Sequence, residues 1–211
     1  VLLQRPDLWH FERAVTQTGA KVVRVGGETR CTPEEIEAAI GPKTAALIWC
    51  YSTSGRAPSG SLVPPEELVR IGKEHSVPVI IDGAGSYPTD RMRQIAQLGD
   101  LVCFGSKYIG GPNSAGYVCG RKDLIEAVTA HGFIGPRPLG RGMKMDRQEV
   151  VAVYAALREW LTMNHEDRYA RYEARISSLR HDLDGIRGIE MEYHPTDGPA
   201  EGLLVRVDSQ L

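Results

Sequence analysis

The sequence predicts an α/β fold: a mostly parallel sheet with helices on both faces, followed by the start of a small α+β domain. Three observations predict it. Short apolar runs alternate with helical patterns over the first two-thirds of the chain, the order that builds parallel sheets. Two of those runs, Thr44 to Tyr51 and Val77 to Ile81, are nearly continuous, as in strands buried on both faces. Beyond Met145 the alternation gives way to two long helical patterns and two strand patterns.

Each element has its own signal. Val1 to Leu3 reads as the end of a strand. Pro6 to Thr18 predicts a helix, with Phe11, Val15 and Thr18 on one face and Gly19 as its stop. Lys21 to Val25 is a short strand. Thr32, Pro33 and Glu35 supply an N-cap, a first-turn proline and a capping box, for a helix that ends near Gly41-Pro42. The Thr44 strand leads into a loop rich in Ser, Gly and Pro, Ser52 to Ser61. Pro64 to His75 is a helix with Glu66 and Glu67 in its first turn, where the helix dipole favours them. The Val77 strand ends on Asp82. Arg91 to Leu98 is a short helix, and Leu101 to Phe104 a strand that runs into Gly105-Ser106-Lys107. Ala115 to Cys119 follows too closely for a parallel crossover, so this pair is expected to be antiparallel. Arg121 to Ala130 is a helix, and Phe133 to Met145 a Gly-, Pro- and Arg-rich loop. Val150, Val153, Leu157 and Trp160 mark one helix face. Tyr169, Tyr172, Ile176, Leu179, Leu183 and Ile186 mark the next. Ile189 to Tyr193 and Leu203 to Val207 are the last strands. The domains are expected at 1–163 and 164–211.

Composition narrows the function classes. Apolar residues make up 42% and charged residues 25%, an ordinary globular mixture. The net charge of -2 leaves no basic surplus to track a phosphate backbone, so a nucleic-acid partner is not expected. The apolar runs are far shorter than the roughly 20 residues of a membrane span. The four cysteines form no CxxC pair, and no metal site is expected. Cys50 and Cys103 lie in apolar runs and read as small core side chains. A reducing, cytoplasmic setting fits them best. With Val1 at a strand end and a strand pattern near Leu211, the chain reads as an internal piece of a longer protein.

Ligands in open α/β sheets sit beyond the carboxyl ends of the strands. Two charges stand there: Asp82 after Val79-Ile80-Ile81, and Lys107 after Leu101-Val102-Cys103-Phe104. Both follow apolar runs and are expected to be partly shielded. A strand-end ion pair or two solvated charges is the plain alternative. Small residues flank both positions: Gly83-Ala84-Gly85 after Asp82, then Ser106 before and Gly110-Gly111-Pro112 after Lys107. The spacing leaves room for one helix and one strand between them.

The segments PVIIDGAG and DLVCFGSKYIGGPNSAGYVCGRKDLIEA resemble the catalytic core of fold-type I pyridoxal-phosphate enzymes. Within that group the chain is most similar to the selenocysteine-synthase-like branch, which includes L-seryl-tRNA(Sec) selenium transferase and D-glucosaminate-6-phosphate ammonia-lyase. TPEEIEAAIGPKTAALIW, SLVPPEEL and GRGMKMDRQEVVAVYAAL extend the resemblance over most of Gly19 to Leu161. It implies pyridoxal 5'-phosphate as cofactor, Lys107 as the Schiff-base lysine, Asp82 as partner of the pyridine nitrogen, and Ala84 packed under the ring. Ser106 would donate to the cofactor phosphate, or else cap local backbone. Arg137, Arg141 and Lys144 would bind a substrate carboxylate or phosphate, or form a solvated basic loop. His10 and Arg206 read as surface residues.

The implied function is a lyase or transferase acting on a small amino-acid-like or amino-sugar substrate. An aminotransferase is a second possibility, although Gly85 stands where many aminotransferases of this fold carry an aromatic hydroxyl. A non-catalytic doubly wound binding module is a third, although neither GxGxxG nor GxxxxGK[ST] is present. The resemblance further implies a homodimer or higher homo-oligomer. It places the phosphate-binding turn and the ring-stacking residue near or upstream of residue 1. The 211 residues alone are therefore expected to hold cofactor weakly and to turn over nothing.

Overall fold

The computed structural model describes residues 1–51, 57–86, 88–194 and 202–208. The predicted loop Ser52 to Ser61 lies partly outside these residues. The chain divides into two compact units, Val1–Leu161 and Thr162–Leu211.

The first unit is built on a six-stranded sheet with the order β2-β1-β3-β4-β5-β6. The strands are β1 (Leu2–Gln4), β2 (Val23–Val25), β3 (Leu47–Cys50), β4 (Val79–Asp82), β5 (Leu101–Gly105) and β6 (Gly116–Gly120). The neighbours from β2 to β5 pair in parallel. β6 turns back antiparallel on β5, as its short connection requires. Every residue of β3 is buried, which accounts for the apolar run that marked it. The fold is thus α/β with a mostly parallel sheet.

One face of the sheet is covered by α2 (Pro33–Ala39), α3 (Pro65–Glu74) and α4 (Thr89–Leu98). α2 starts on the predicted capping box: the Glu35 N–H donates to the Thr32 hydroxyl, and the Thr32 N–H donates to the Glu35 carboxylate. α3 lies close against β4, where a Cβ on Gly72 would stand 2.7 Å from the Val79 side chain. The opposite face buries Leu3, Ile48 and Cys50 beneath Trp9, with Val15 and Val22 beside them.

That face departs from expectation. In place of a helix over Pro6–Thr18 there is one short turn, α1 (Arg13–Thr16). The reason lies in the carbonyls. The Arg24 guanidinium takes the backbone oxygens of Arg5, Asp7 and Trp9. The Asp7 carboxylate accepts the Trp9 N–H. These groups would otherwise close the first helical turns. His10, expected on a helix surface, is exposed on this irregular stretch and lies against Phe11.

Beyond β6 come α5 (Lys122–His131) and α6 (Arg147–Thr162). In the second unit, α7 (His165–Leu183) is capped by Asn164, whose side-chain oxygen accepts the N–H groups of Glu166 and Asp167. It is followed by β7 (Ile189–His194) and β8 (Gly202–Val207), paired antiparallel. Arg206 is exposed and pairs with Glu192 at 2.7 Å.

Candidate functional site

Asp82 closes β4, and Lys107 follows the last residue of the adjacent β5 by two positions. The parallel register therefore brings both to one end of the sheet. Asp82 is half-buried. Its Oδ1 accepts the Ala84 N–H at 3.0 Å, and its Oδ2 accepts the Trp9 indole N–H at 3.1 Å. The chain then bends sharply. The Gly83 N–H donates to the Cys103 carbonyl at 2.8 Å, and a Cβ on Gly83 would stand 2.8 Å from the Phe104 ring. Gly85 has φ +84, a conformation that side chains disfavour.

Lys107 sits in a 3₁₀ turn, Ser106–Ile109. It is exposed, with its ammonium 5.0 Å from the centre of the Tyr108 ring. The expected shielding of Lys107 is thus not supplied by the described residues, and β5 ends two positions before it. Ser106 also departs from the phosphate-donor reading. It is fully buried, and its hydroxyl lies 2.7 Å from the Pro112 carbonyl and 2.8 Å from the Ala115 carbonyl. A hydroxyl has one hydrogen, and here the loop's own carbonyls take it. Gly111 lets the loop close on this serine, since a Cβ there would stand 2.7 Å from Ser106 Cβ.

Cys103 corrects another expectation. Cys50 is fully buried, but Cys103 is an exposed residue on the face of β5 that carries Asp82 in register on β4. Its thiol is nevertheless pushed up to about 11, first by burial of the sulfur and then by the Asp82 charge.

Arg137, Arg141 and Lys144 are all exposed, in the loop around the 3₁₀ turn Leu139–Met143. Arg141 donates to the Phe133 carbonyl at 3.2 Å, and His131 bonds the Arg137 carbonyl. Among the described residues no hydrogen bond or ion pair links the three to Asp82 or Lys107. A separate cleft of about 490 Å³, lined by Trp49, Tyr51, Arg91 and Ile95, contains neither of those two residues.

Trp9 is the residue that the sequence reading missed. The helix expected to contain it does not form. The available signal was the Pro6-Asp7 pair, a turn former just before it. Among the described residues no group of His, Cys, Asp and Glu is placed to hold a metal ion. No described helix is long and apolar enough to cross a membrane.

Comparison with known proteins decides the family. The model for SelA, L-seryl-tRNA selenium transferase, matches residues 10–186. The chain belongs to the SelA family. A 5'-C-glycyluridine monooxygenase-decarboxylase from Streptomyces sp is 36% identical over 172 residues, 81% of this chain and 41% of that protein. An L-seryl-tRNA(Sec) selenium transferase from Mannheimia succiniciproducens is 32% identical over 70% of this chain and 33% of its own length. A D-glucosaminate-6-phosphate ammonia-lyase structure superposes with a TM-score of 0.76 over 99% of this chain and 55% of that one, at 23% identity. That likeness is one of fold. This SelA-family chain therefore spans less than half the length of the two curated relatives.

Proposed function

We propose that this chain is part of a pyridoxal-phosphate-dependent lyase or transferase acting on an amino-acid-like or amino-sugar substrate, with Lys107 as the Schiff-base lysine. One observation carries the reading: Asp82 and Lys107 stand at the same end of two adjacent parallel strands. A binding module in which the two charges served separate purposes would not need that adjacency.

The residues fit the cofactor. Each Asp82 oxygen accepts one N–H, and a carboxylate retains lone pairs for a further donor. A protonated pyridine nitrogen is such a donor, and the pairing is charge-assisted. Gly83, Ala84 and Gly85 add little bulk beside it. When bound, the cofactor supplies an electron sink for negative charge at the substrate α-carbon. Asp82 keeps the ring nitrogen protonated. The Lys107 amine, when free, takes or returns the proton at the α-carbon. Ala84 donates its backbone N–H to the aspartate, and its methyl would pack against the cofactor ring.

The names of three relatives contain a glycyl, a seryl and a glucosaminate group. Each carries an amine next to a carbonyl or carboxylate carbon, which supports an amino-acid-like substrate. Gly85 at φ +84 disfavours an aromatic side chain there, which supports a lyase or transferase over an aminotransferase. The net charge of -2 supports a small-molecule substrate over a tRNA. Arg137, Arg141 and Lys144 are proposed to meet the substrate's anionic group, in a cytoplasmic homo-oligomer. Residues 1–163 are proposed as the later part of the cofactor domain, and 164–211 as the start of a small domain.

The test is borohydride reduction of the full-length protein after incubation with pyridoxal phosphate. The expected result is a stable adduct mapped to Lys107 and lost in Lys107→Ala. No adduct, or an adduct kept in that variant, overturns the reading.

A further inference from the structure

We propose that Trp9 is a positioning residue for Asp82: its indole N–H fixes the carboxylate in the orientation that meets the cofactor's ring nitrogen. The proposal rests on the reading of Asp82 given above. A carboxylate at a strand end turns about two side-chain bonds. The Ala84 N–H restrains one oxygen at 3.0 Å, and the Trp9 N–H restrains the other at 3.1 Å. An indole offers a single donor and no acceptor, so this contact has one chemical sense.

Trp9 is built to be immobile. It is 5% exposed and rests on Leu3, Ile48 and Cys50. Its backbone N–H donates to the Asp7 carboxylate at 3.0 Å, and its backbone carbonyl accepts from Arg24 at 2.9 Å. Arg24 also holds the Asp7 carbonyl at 2.8 Å and the Glu12 carboxylate at 2.7 Å. Three side chains thus pack with the indole, Asp7 and Arg24 hold its backbone, and the indole N–H meets one carboxylate. Packing alone would bury the ring without aiming its nitrogen at the charge. A charge aimed before the ligand arrives need not be reoriented when it binds.

The experiment uses full-length protein with Trp9 replaced by 3-benzothienylalanine, which exchanges the N–H for sulfur and keeps the ring's shape. Trp9→Phe is a second variant. Equilibrium dialysis gives the dissociation constant for pyridoxal phosphate, in the wild type and with Asp82→Ala alone or combined with each replacement. Loss of the N–H is expected to weaken binding roughly tenfold, the effect of one hydrogen bond to a charged group. With Asp82→Ala in place, the same replacement is expected to change it by less than about twofold, since the two act as one unit. An unchanged constant on loss of the N–H, or an equal loss in both backgrounds, overturns the positioning role. Wild-type protein that binds no cofactor overturns the Lys107–Asp82 reading itself. Wild-type binding with an inert Trp9 overturns the positioning role alone.

Discussion

A carboxylate with a donor on each oxygen is an oriented charge, and Asp82 has that form. On its proposed role, its removal would take away the partner of a partly buried ion pair, an interaction of about 2–5 kcal/mol. Asp82→Ala is therefore expected to weaken cofactor binding by that amount, measured by dialysis, while Lys107 remains reducible into an adduct. Ser106 has a different task. Ser106→Ala leaves loop carbonyls without their hydroxyl donor, a loss of about 1–3 kcal/mol. Urea denaturation is expected to show that loss, with no matching fall in affinity for free phosphate. Cys103 offers a third check. With its thiol pushed up to about 11, only about one molecule in a thousand is thiolate at pH 8. Alkylation of Cys103 is expected to be slow there and to accelerate as pH approaches 11. Asp82→Ala removes the second cause of the shift and is expected to bring that acceleration to lower pH.

The elements carrying these residues differ in how plainly the sequence announces them. β3 and β4 were legible because strands buried in a parallel sheet need apolar side chains on both faces. α2 was legible because its capping box is local. The segment from Pro6 to Glu12 was not, because its conformation is decided by Arg24, more than ten residues away in the chain. No periodicity records such a contact. Trp9 was lost with it. Arg24→Ala is expected to loosen this segment, seen as faster hydrogen exchange at the Trp9 amide and weaker cofactor binding. The strand-end positions of Asp82 and Lys107 were legible because both follow apolar strands closely. The exposure of Lys107 was not, since it depends on what surrounds the strand end. Asp100 is another remote tie. It is 9% exposed, accepts the Val79 N–H at 2.8 Å and pairs with Arg121 at 3.1 Å. Asp100→Ala is expected to cost about 1–3 kcal/mol of stability in urea, since a buried N–H loses its partner.

At the scale of the whole chain, the sheet order sets which residues meet. β1 lies between β2 and β3, and β5 between β4 and β6. The antiparallel return of β6 holds the Lys107 turn between two strands adjacent in sequence. Its Ser106–Ala115 hydrogen bond closes over 9 residues. The Trp9–Asp82 contact closes over 73. Loop-closure entropy rises with separation, and contacts distant in sequence form late in folding. The lysine turn is therefore expected to form before the aspartate is pinned, a sequence that pulse-labelled hydrogen exchange would follow at Gly111 and Trp9. On the proposed roles of the two residues, refolding would then complete the turn of the attachment lysine before the aspartate that faces the ring nitrogen is fixed. Cofactor present during refolding would meet Lys107 on a half-finished site and favour the strands that close around it.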